Sequence, residues 1–356
     1  MPLWTWLAPL LALAAMFAAV YLKMTLIVGA VAGVALIAAV IAAVHHAEVV
    51  ARRVGEPFGT LLLSIAVTVI EVGLIVSVIA ASPGPENATL ARDTIYCVTM
   101  ITCNGLVGLC LLIGAMRHGE QSFQVMGTNA ILATLIALTT LSLVLPTFTT
   151  SSPGPTYTHS QLIFAGAASF VLWGTAVLLQ TGRDRDYFLP TNHAADDDAH
   201  HVRPSGRLSA LSLLLLLVAL TAVVGLAHAG SAPLEAAVAA VGAPKTVMSI
   251  AIATLTLLPE GAAAVRAALN NRLQISLNLA LGSALASIGL TIPVVGITSI
   301  WINMPMAFGL ASKELLLVSV TFIIASITFV AGRSHRLQGV VHLVLFGAFI
   351  FFSFVP

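Results

Sequence analysis

A chain of 356 residues that is 59% hydrophobic and 8% charged, with a formal net charge of +1 and a mean hydropathy of +1.03, falls outside the soluble globular class, where about a quarter of residues are charged. Its apolar residues come in runs long enough to cross a bilayer, roughly 20 residues each. The chain therefore reads as an all-α polytopic membrane protein in a lipid bilayer, and the lack of a basic cluster interleaved with aromatics argues against nucleic acid as a partner.

In chain order, hydropathy places about eleven spans, near 4–22, 25–44, 58–81, 93–115, 127–146, 160–180, 208–229, 245–268, 273–292, 313–331 and 337–355. The first, in MPLWTWLAPLLALAAMFAAV, lacks a basic segment before its apolar run and reads as a retained helix rather than a cleaved signal. The fourth span holds Cys97, Cys103 and Cys110, which form no CxxC pair and read as buried thiols. Between the ninth and tenth spans, PVVGITSIWINMPMAFGLAS (293–312) is apolar but interrupted by Pro293 and Pro305, consistent with either a loop or a short re-entrant piece.

Charge tests this arrangement. Alternate loops of an eleven-span chain share a side. One side collects Arg52, Arg53, Arg117, Arg183, Arg185, Arg203, Arg207, Arg266, Arg272, Arg333 and Arg336; the other gets Lys23, Arg92, Lys245 and Lys313. The bias makes the arginine side cytoplasmic, with the N-terminus inside and the C-terminus outside. The longest polar stretch, 181–207, then lies on the cytoplasmic side between the sixth and seventh spans. It divides the chain into an extra N-terminal helix (1–24), a first set of five helices (25–180) and a second set of five (208–356). Five is odd, so two homologous halves would be inverted relative to each other, as in many secondary transporters. Faint traces support the repeat: GEP (55–57) and GAP (242–244) each precede the second span of their half.

Most acids fall in loops or at span ends. Glu71, in TVIEVGLIVSV, and Glu260, in TLTLLPEGAAA, sit well inside apolar runs, one in each half. A mid-membrane acid costs about 2.5–3.5 kcal/mol on insertion scales and marks a functional site by default. A packing role would be served as well by serine or asparagine; a carboxylate adds a charge that can be traded for a proton. Ser64, Thr68 and Glu71 share a helical face, as do Thr256 and Glu260, and Pro259 frees a backbone carbonyl beside Glu260. The following spans add Thr99, Thr102 and Asn104 in one half and Asn278, Ser283 and Ser287 in the other. Hydroxyl, amide, carbonyl and carboxylate oxygens are hard ligands suited to Ca²⁺ or Na⁺. Two carboxylates at one site match one divalent cation; without it they repel, desolvation favours protons, and the pair titrates as a unit. Competition of cation and proton for the same oxygens, at a site with alternating access, is exchange.

At these residues the sequence resembles a known family. GEPFGTLLLSIAVTVIEVGLIVSVIA and LLPEGAAAVRAALNNRLQISLNLALGSALASIGLTIPVV resemble the α-1 and α-2 motifs, here about 55–108 and 242–295, of the cation/calcium exchanger superfamily. RDTIYCVTMITCNGLVG, the acidic, histidine-containing central loop and GRSHRLQGVVHLVLF are similar to ChaA-like Ca²⁺(Na⁺, K⁺)/H⁺ antiporters, and the resemblance covers the chain from about residue 45. It implies an eleven-helix exchanger fold in a bacterial inner membrane, no cofactor, transported Ca²⁺, Na⁺ or K⁺ against H⁺, and Glu71 and Glu260 as the central acids. The flanks depart from the family, with TVI before Glu71 and LLP before Glu260 in place of Gly-Asn-Ala, so detailed coordination and ion preference do not carry over.

Three further features read as structural. Asp196, Asp197 and Asp198 with His193, His200 and His201 suggest a solvated loop, with cation-dependent regulation as the alternative. His45, His46 and Glu48 lack the HExxH spacing of a helical zinc site and read as interfacial. His342 lies within the last span with no partner evident from the sequence. Two other functions compete: a cation channel, since paired acids also line pores, and an intramembrane hydrolase, for which no nucleophile–base pair or HExxH motif is present in mid-span.

Overall fold

In hydrocarbon every backbone N–H and C=O has to be satisfied within its own segment, which leaves helices as the spanning form for runs like these. The computed structural model describes residues 3–21, 26–55, 58–81, 84, 87–189, 204–240, 242, 244–301 and 306–355. The aspartate and histidine cluster at 193–201 lies outside the described residues, as do Lys23, Glu56, Pro57, Arg203, Ala243 and Pro305 and the side chain of Ser64.

The helices are α1 (Leu3–Tyr21), α2 (Leu26–Val54), α3 (Phe58–Ala81), α4 (Leu90–Met100), α5 (Val107–His118), α6 (Val125–Thr139), α7 (Leu145–Phe148), α8 (His159–Thr181), α9 (Gly206–Ala240), α10 (Thr246–Leu269), α11 (Leu273–Trp301), α12 (Ser312–Val330) and α13 (Arg336–Phe354). Two π-helical stretches, Ile101–Leu106 and Thr140–Val144, join α4 to α5 and α6 to α7 into continuous rods. Each expected span thus has its helix. Among the described residues ten are long and apolar enough to cross a membrane, and Ile65–Ala80 in α3 adds a shorter apolar stretch. Their outward positions are apolar too, as at Leu11, Val34, Phe164, Ile323 and Val344, the surface expected of a chain that faces lipid.

Local signals set the ends. Gly55, at φ +79°, closes α2 with its N–H on the Ala51 carbonyl, a left-handed cap that glycine adopts without strain. Thr158 and Gln161 form a capping box at the start of α8. Of the stretch 293–312, residues 293–301 continue α11, which runs on through Pro293 to Trp301, and 302–305 lie outside the described residues. Pro293 packs at Gly166 of α8, where a Cβ would lie 3.3 Å from the Pro293 Cα. A packed neighbour of this kind is what makes proline tolerable inside a membrane helix. Residues 306–311 then form a hydrogen-bonded loop, with Gly309 N–H on the Pro155 carbonyl and Leu310 N–H on the Leu143 carbonyl.

The chain folds as two compact units, Met1–Leu90 with Val202–Thr256, and Ala91–His201 with Leu257–Pro356. In the first, α1, α2, α3 and α9 pack side by side, and α2 buries a row of alanines, Ala39, Ala42, Ala43 and Ala47. The buried His46 donates from Nε2 to the Thr5 carbonyl at 2.8 Å, and the His45 ring lies 5.4 Å from that of Trp4. The histidine pair thus ties α1 to α2.

In the second unit α11 packs on α8, α6 and α5, while α13 packs on α5, the first π stretch and α12. One end is closed by a two-stranded antiparallel ribbon of β1 (Gln121–Ser122) and β2 (Arg333–Ser334). At that end His118 meets the Leu269 carbonyl and Gln121 bonds Asn271. At the opposite end Arg92 donates to the Gly309 carbonyl and Lys313 to the Phe352 carbonyl. Within this unit Arg117, Arg266, Arg272, Arg333 and Arg336 therefore gather at the ribbon end, apart from Arg92 and Lys313, which is the sorting that the loop charges implied.

Candidate functional site

The first unit contributes Glu71, Thr68 and Thr256. On α3 the buried face includes Thr68, Ile70, Glu71, Leu74, Ile75 and Val78, whereas Ile65 and Val69 turn outward. Glu71 is only 1% exposed, so its carboxyl group faces protein rather than lipid. Gly73 lets α3 approach α9: a Cβ there would lie 2.8 Å from Val224 Cγ2. One turn on, the Ser77 hydroxyl donates to the Val224 carbonyl at 3.2 Å. Thr256 is buried, with its hydroxyl shared between the Ile252 and Ala253 carbonyls. Its proton is thus committed while lone pairs on the oxygen remain available to a cation.

The second unit contributes Glu260, Asn104, Asn278 and Ser283. Glu260 is half-buried and follows Pro259 inside α10. Proline brings no N–H, so one carbonyl of the preceding turn lacks its helical partner. Gly261, next to Glu260, lies against the first π stretch, since a Cβ at 261 would sit 3.0 Å from Leu106 Cδ2. Further along α10, Ala264 and Ala268 pack with Cys110 of α5, flanked by Val265 and by Leu279 of α11. The three cysteines are free and buried.

Both ends of the Asn104 amide are engaged. Its Nδ2 donates to Thr321 Oγ1 at 2.8 Å, and its Oδ1 lies 3.2 Å from His342 Nδ1. Asn278 is also held at both ends, donating to the Phe188 carbonyl at 2.6 Å and accepting from Gln274 Nε2 at 2.8 Å. The two asparagines therefore belong to separate hydrogen-bond chains. Thr99 returns its hydroxyl to the Ile95 carbonyl. The Thr102 hydroxyl is fully buried with no hydrogen-bond partner among the described residues. Ser283 is partly buried and Ser287 is buried.

His342, for which no partner was evident from the sequence, meets Asn104 at Nδ1 and Thr328 Oγ1, 3.1 Å from Nε2, and the backbone of Cys103 also reaches the ring. Little in the sequence announces them, since 238 positions separate His342 from Asn104. The one local hint was an imidazole in mid-span, a group too polar to be left unsatisfied in lipid. Among the described residues no cluster of three or more His, Cys, Asp or Glu could hold a metal ion. The groups that remain are hard oxygens, with Glu71 and Glu260 as the acids farthest from span ends.

A multi-pass helical chain with one buried and one half-buried acid inside its spans has the build of a membrane ion transporter, and comparison with known proteins agrees. A family model described as "sodium/calcium exchanger protein" matches residues 22–182 and 211–355. A Sinorhizobium fredii protein named as an ionic transporter, y4hA, is 45% identical over 358 residues, covering 100% of this chain and 97% of that one. The sodium-potassium/proton antiporter ChaA of Escherichia coli is 32% identical over 347 residues, covering 96% of this chain and 93% of ChaA. The native structure of YfkE superposes with a TM-score of 0.74 at 18% identity over 99% of this chain and 100% of that one, which shows a common fold. The chain belongs to the cation/calcium exchanger superfamily, among its ChaA-like members.

Proposed function

We propose that this protein is a secondary antiporter that exchanges Ca²⁺ or Na⁺, with K⁺ as a further candidate, for protons by alternating access. Glu71 and Glu260 carry cation and proton in turn, and Thr68, Thr256 and Ser283 supply neutral oxygens. The amides of Asn104 and Asn278, engaged with other side chains and backbone, hold helices in place. The observation that carries the reading is a carboxyl group at Glu71 that is 1% exposed in mid-span, in a chain of the exchanger superfamily. A buried charge of this kind is stable only with a counter-ion or a proton, and trading one for the other is the chemistry of antiport. ChaA, named a sodium-potassium/proton antiporter, supports protons as the counter-substrate.

The sidedness of the arginines supports an inner-membrane orientation with the N-terminus cytoplasmic and the C-terminus periplasmic. Single cysteines at positions 185 and 313, in a background free of native cysteine, should react with an impermeant maleimide from the cytoplasmic and the periplasmic face respectively.

The transport reading is tested in everted membrane vesicles containing a pH-sensitive dye. Added Ca²⁺, Na⁺ or K⁺ should discharge a respiration-generated pH gradient with saturation, and an imposed opposite gradient should drive the cation the other way. Flux that does not saturate and moves no proton would identify a channel instead.

A further inference from the structure

In the second unit, α12, α13 and the π stretch Ile101–Leu106 are joined through buried polar side chains. His342, Asn104 and Thr321 are each 0% exposed and Thr328 is 3% exposed. Donor counting fixes how they are oriented. The Thr321 hydroxyl gives its proton to the Leu317 carbonyl at 2.7 Å, so toward Asn104 it can only accept. Asn104 must therefore turn its NH₂ to Thr321, 2.8 Å away, and its carbonyl oxygen to His342. An oxygen there obliges Nδ1 of His342 to be the protonated nitrogen. Nε2 of the neutral ring is then an acceptor, and the Thr328 hydroxyl at 3.1 Å supplies its proton. With the Thr321 proton on Leu317, the imidazole tautomer and the amide orientation follow along this chain, and the Cys103 backbone also meets the ring.

The π stretch that Asn104 belongs to is an irregularity, since i→i+5 turns are rare and tend to occur at functional sites. Here the turn is packed by α11, α12 and α13. On one side α13 presses against it, with Phe346 3.3 Å from where a Cβ on Gly105 would lie. On the other side Leu106 lies against Gly261, the residue after Glu260. A shift of the π turn would therefore be transmitted to the turn of α10 that bears the acid.

We propose that His342 is a positioning residue for transport: by fixing the Asn104 amide it holds the π turn in the register that aligns the Glu260 turn of α10 for the cation. The proposal rests on the antiport reading given above. It assigns His342 no contact with the ion and no proton of the transport cycle.

Gln is the informative replacement, because its amide offers one donor to Asn104 and one acceptor to Thr328 but does not titrate. The experiment measures cation half-saturation and maximal rate in proteoliposomes, with insertion and melting temperature followed in parallel. His342→Leu should raise the half-saturating cation concentration about fivefold, the worth of one hydrogen bond, with a smaller change in maximal rate. Asn104→Leu should do the same, and the double variant should be no worse than either single, as expected for residues acting through one contact. His342→Gln should stay within about twofold of wild type on the same ground. Should His342→Leu fail to insert, Thr328→Val removes one partner with little change of shape and should raise half-saturation in the same direction.

Unchanged half-saturation in His342→Leu or Thr328→Val would overturn the proposal. So would a Gln variant as impaired as Leu, which would assign the imidazole a proton instead, or a double variant whose defects multiply. Each of these outcomes leaves wild-type antiport intact and so is distinct from failure of the antiport reading, in which the wild type itself moves no protons on cation addition.

Discussion

The Nδ1 of His342 lies 3.2 Å from the Oδ1 of Asn104, bridging α13 to the π turn between α4 and α5. The bridge is possible because the two helices come into backbone contact one turn away. A Cβ on Gly339 would lie 2.6 Å from Leu112 N and 2.9 Å from the Gly108 carbonyl oxygen, and a Cβ on Gly108 would lie 2.8 Å from His342 Cβ. Small residues at a membrane helix crossing allow this approach.

Replacing Gly339 tests that packing. Because the atoms in the way are backbone, neither helix can yield locally, and Gly339→Val should cost about 1–3 kcal/mol, the usual range for overpacking. Gly347→Ala is the control, as nothing lies within 4 Å of the added Cβ. Melting temperature in detergent should fall for Gly339→Val and hold for Gly347→Ala; equal melting of the two variants would show that α5 and α13 are not in close contact.

A second test concerns Asn278. With one end on the Phe188 carbonyl and the other on Gln274, its amide serves as a latch between α11 and the segment that follows α8. Asn278→Leu leaves a carbonyl and a glutamine amide without a partner, and should destabilise the protein by about 1–3 kcal/mol. Cation half-saturation in proteoliposomes should stay near the wild-type value. A tenfold rise would instead make Asn278 a ligand.

These residues show which parts of the molecule can be read from sequence. Hydropathy located the spans because a membrane helix needs a long apolar run wherever it packs, and arginine counts reproduced the end-to-end sorting of charge now seen in the second unit. Glu71 and Glu260 stood out because an acid is conspicuous in an apolar run. The roles of Asn104 and Asn278 were not legible, since a buried amide looks the same in sequence whether it binds an ion or a neighbouring helix. Of the partners of His342, Thr328 lies on the preceding helix, but Asn104 is 238 positions away in the chain. The extension of α11 through Pro293 depends on Gly166 of α8, and a proline-containing apolar run is compatible with both loop and helix until its neighbour is known.

The loop between α7 and α8 offers a pH-dependent test. Tyr157 donates to the Leu141 carbonyl, in the second π stretch, and burial pushes its phenol from 10.0 up to about 12. Above the ordinary value the unfolded chain gives up this proton while the folded chain keeps it, so the tyrosine's contribution to stability is whole below pH 10 and declines as pH rises toward 12. Tyr157→Phe should be less stable than wild type by about 1 kcal/mol at neutral pH, and the difference in melting temperature should shrink across that alkaline window. A gap that stays constant with pH would show that the phenol is not shielded.

Exchange by this chain would depend on two carboxyl groups inside the membrane. The most direct test is cation-evoked proton movement in everted vesicles carrying Glu71→Gln or Glu260→Gln, with membrane insertion confirmed for each. Glutamine keeps shape and hydrogen bonding but removes the charge that binds a cation and the site that accepts a proton. Each variant should lose the dye response to every cation that wild type transports, while inserting normally. Wild-type exchange by both variants would contradict the assignment of the two acids as the shared cation and proton site.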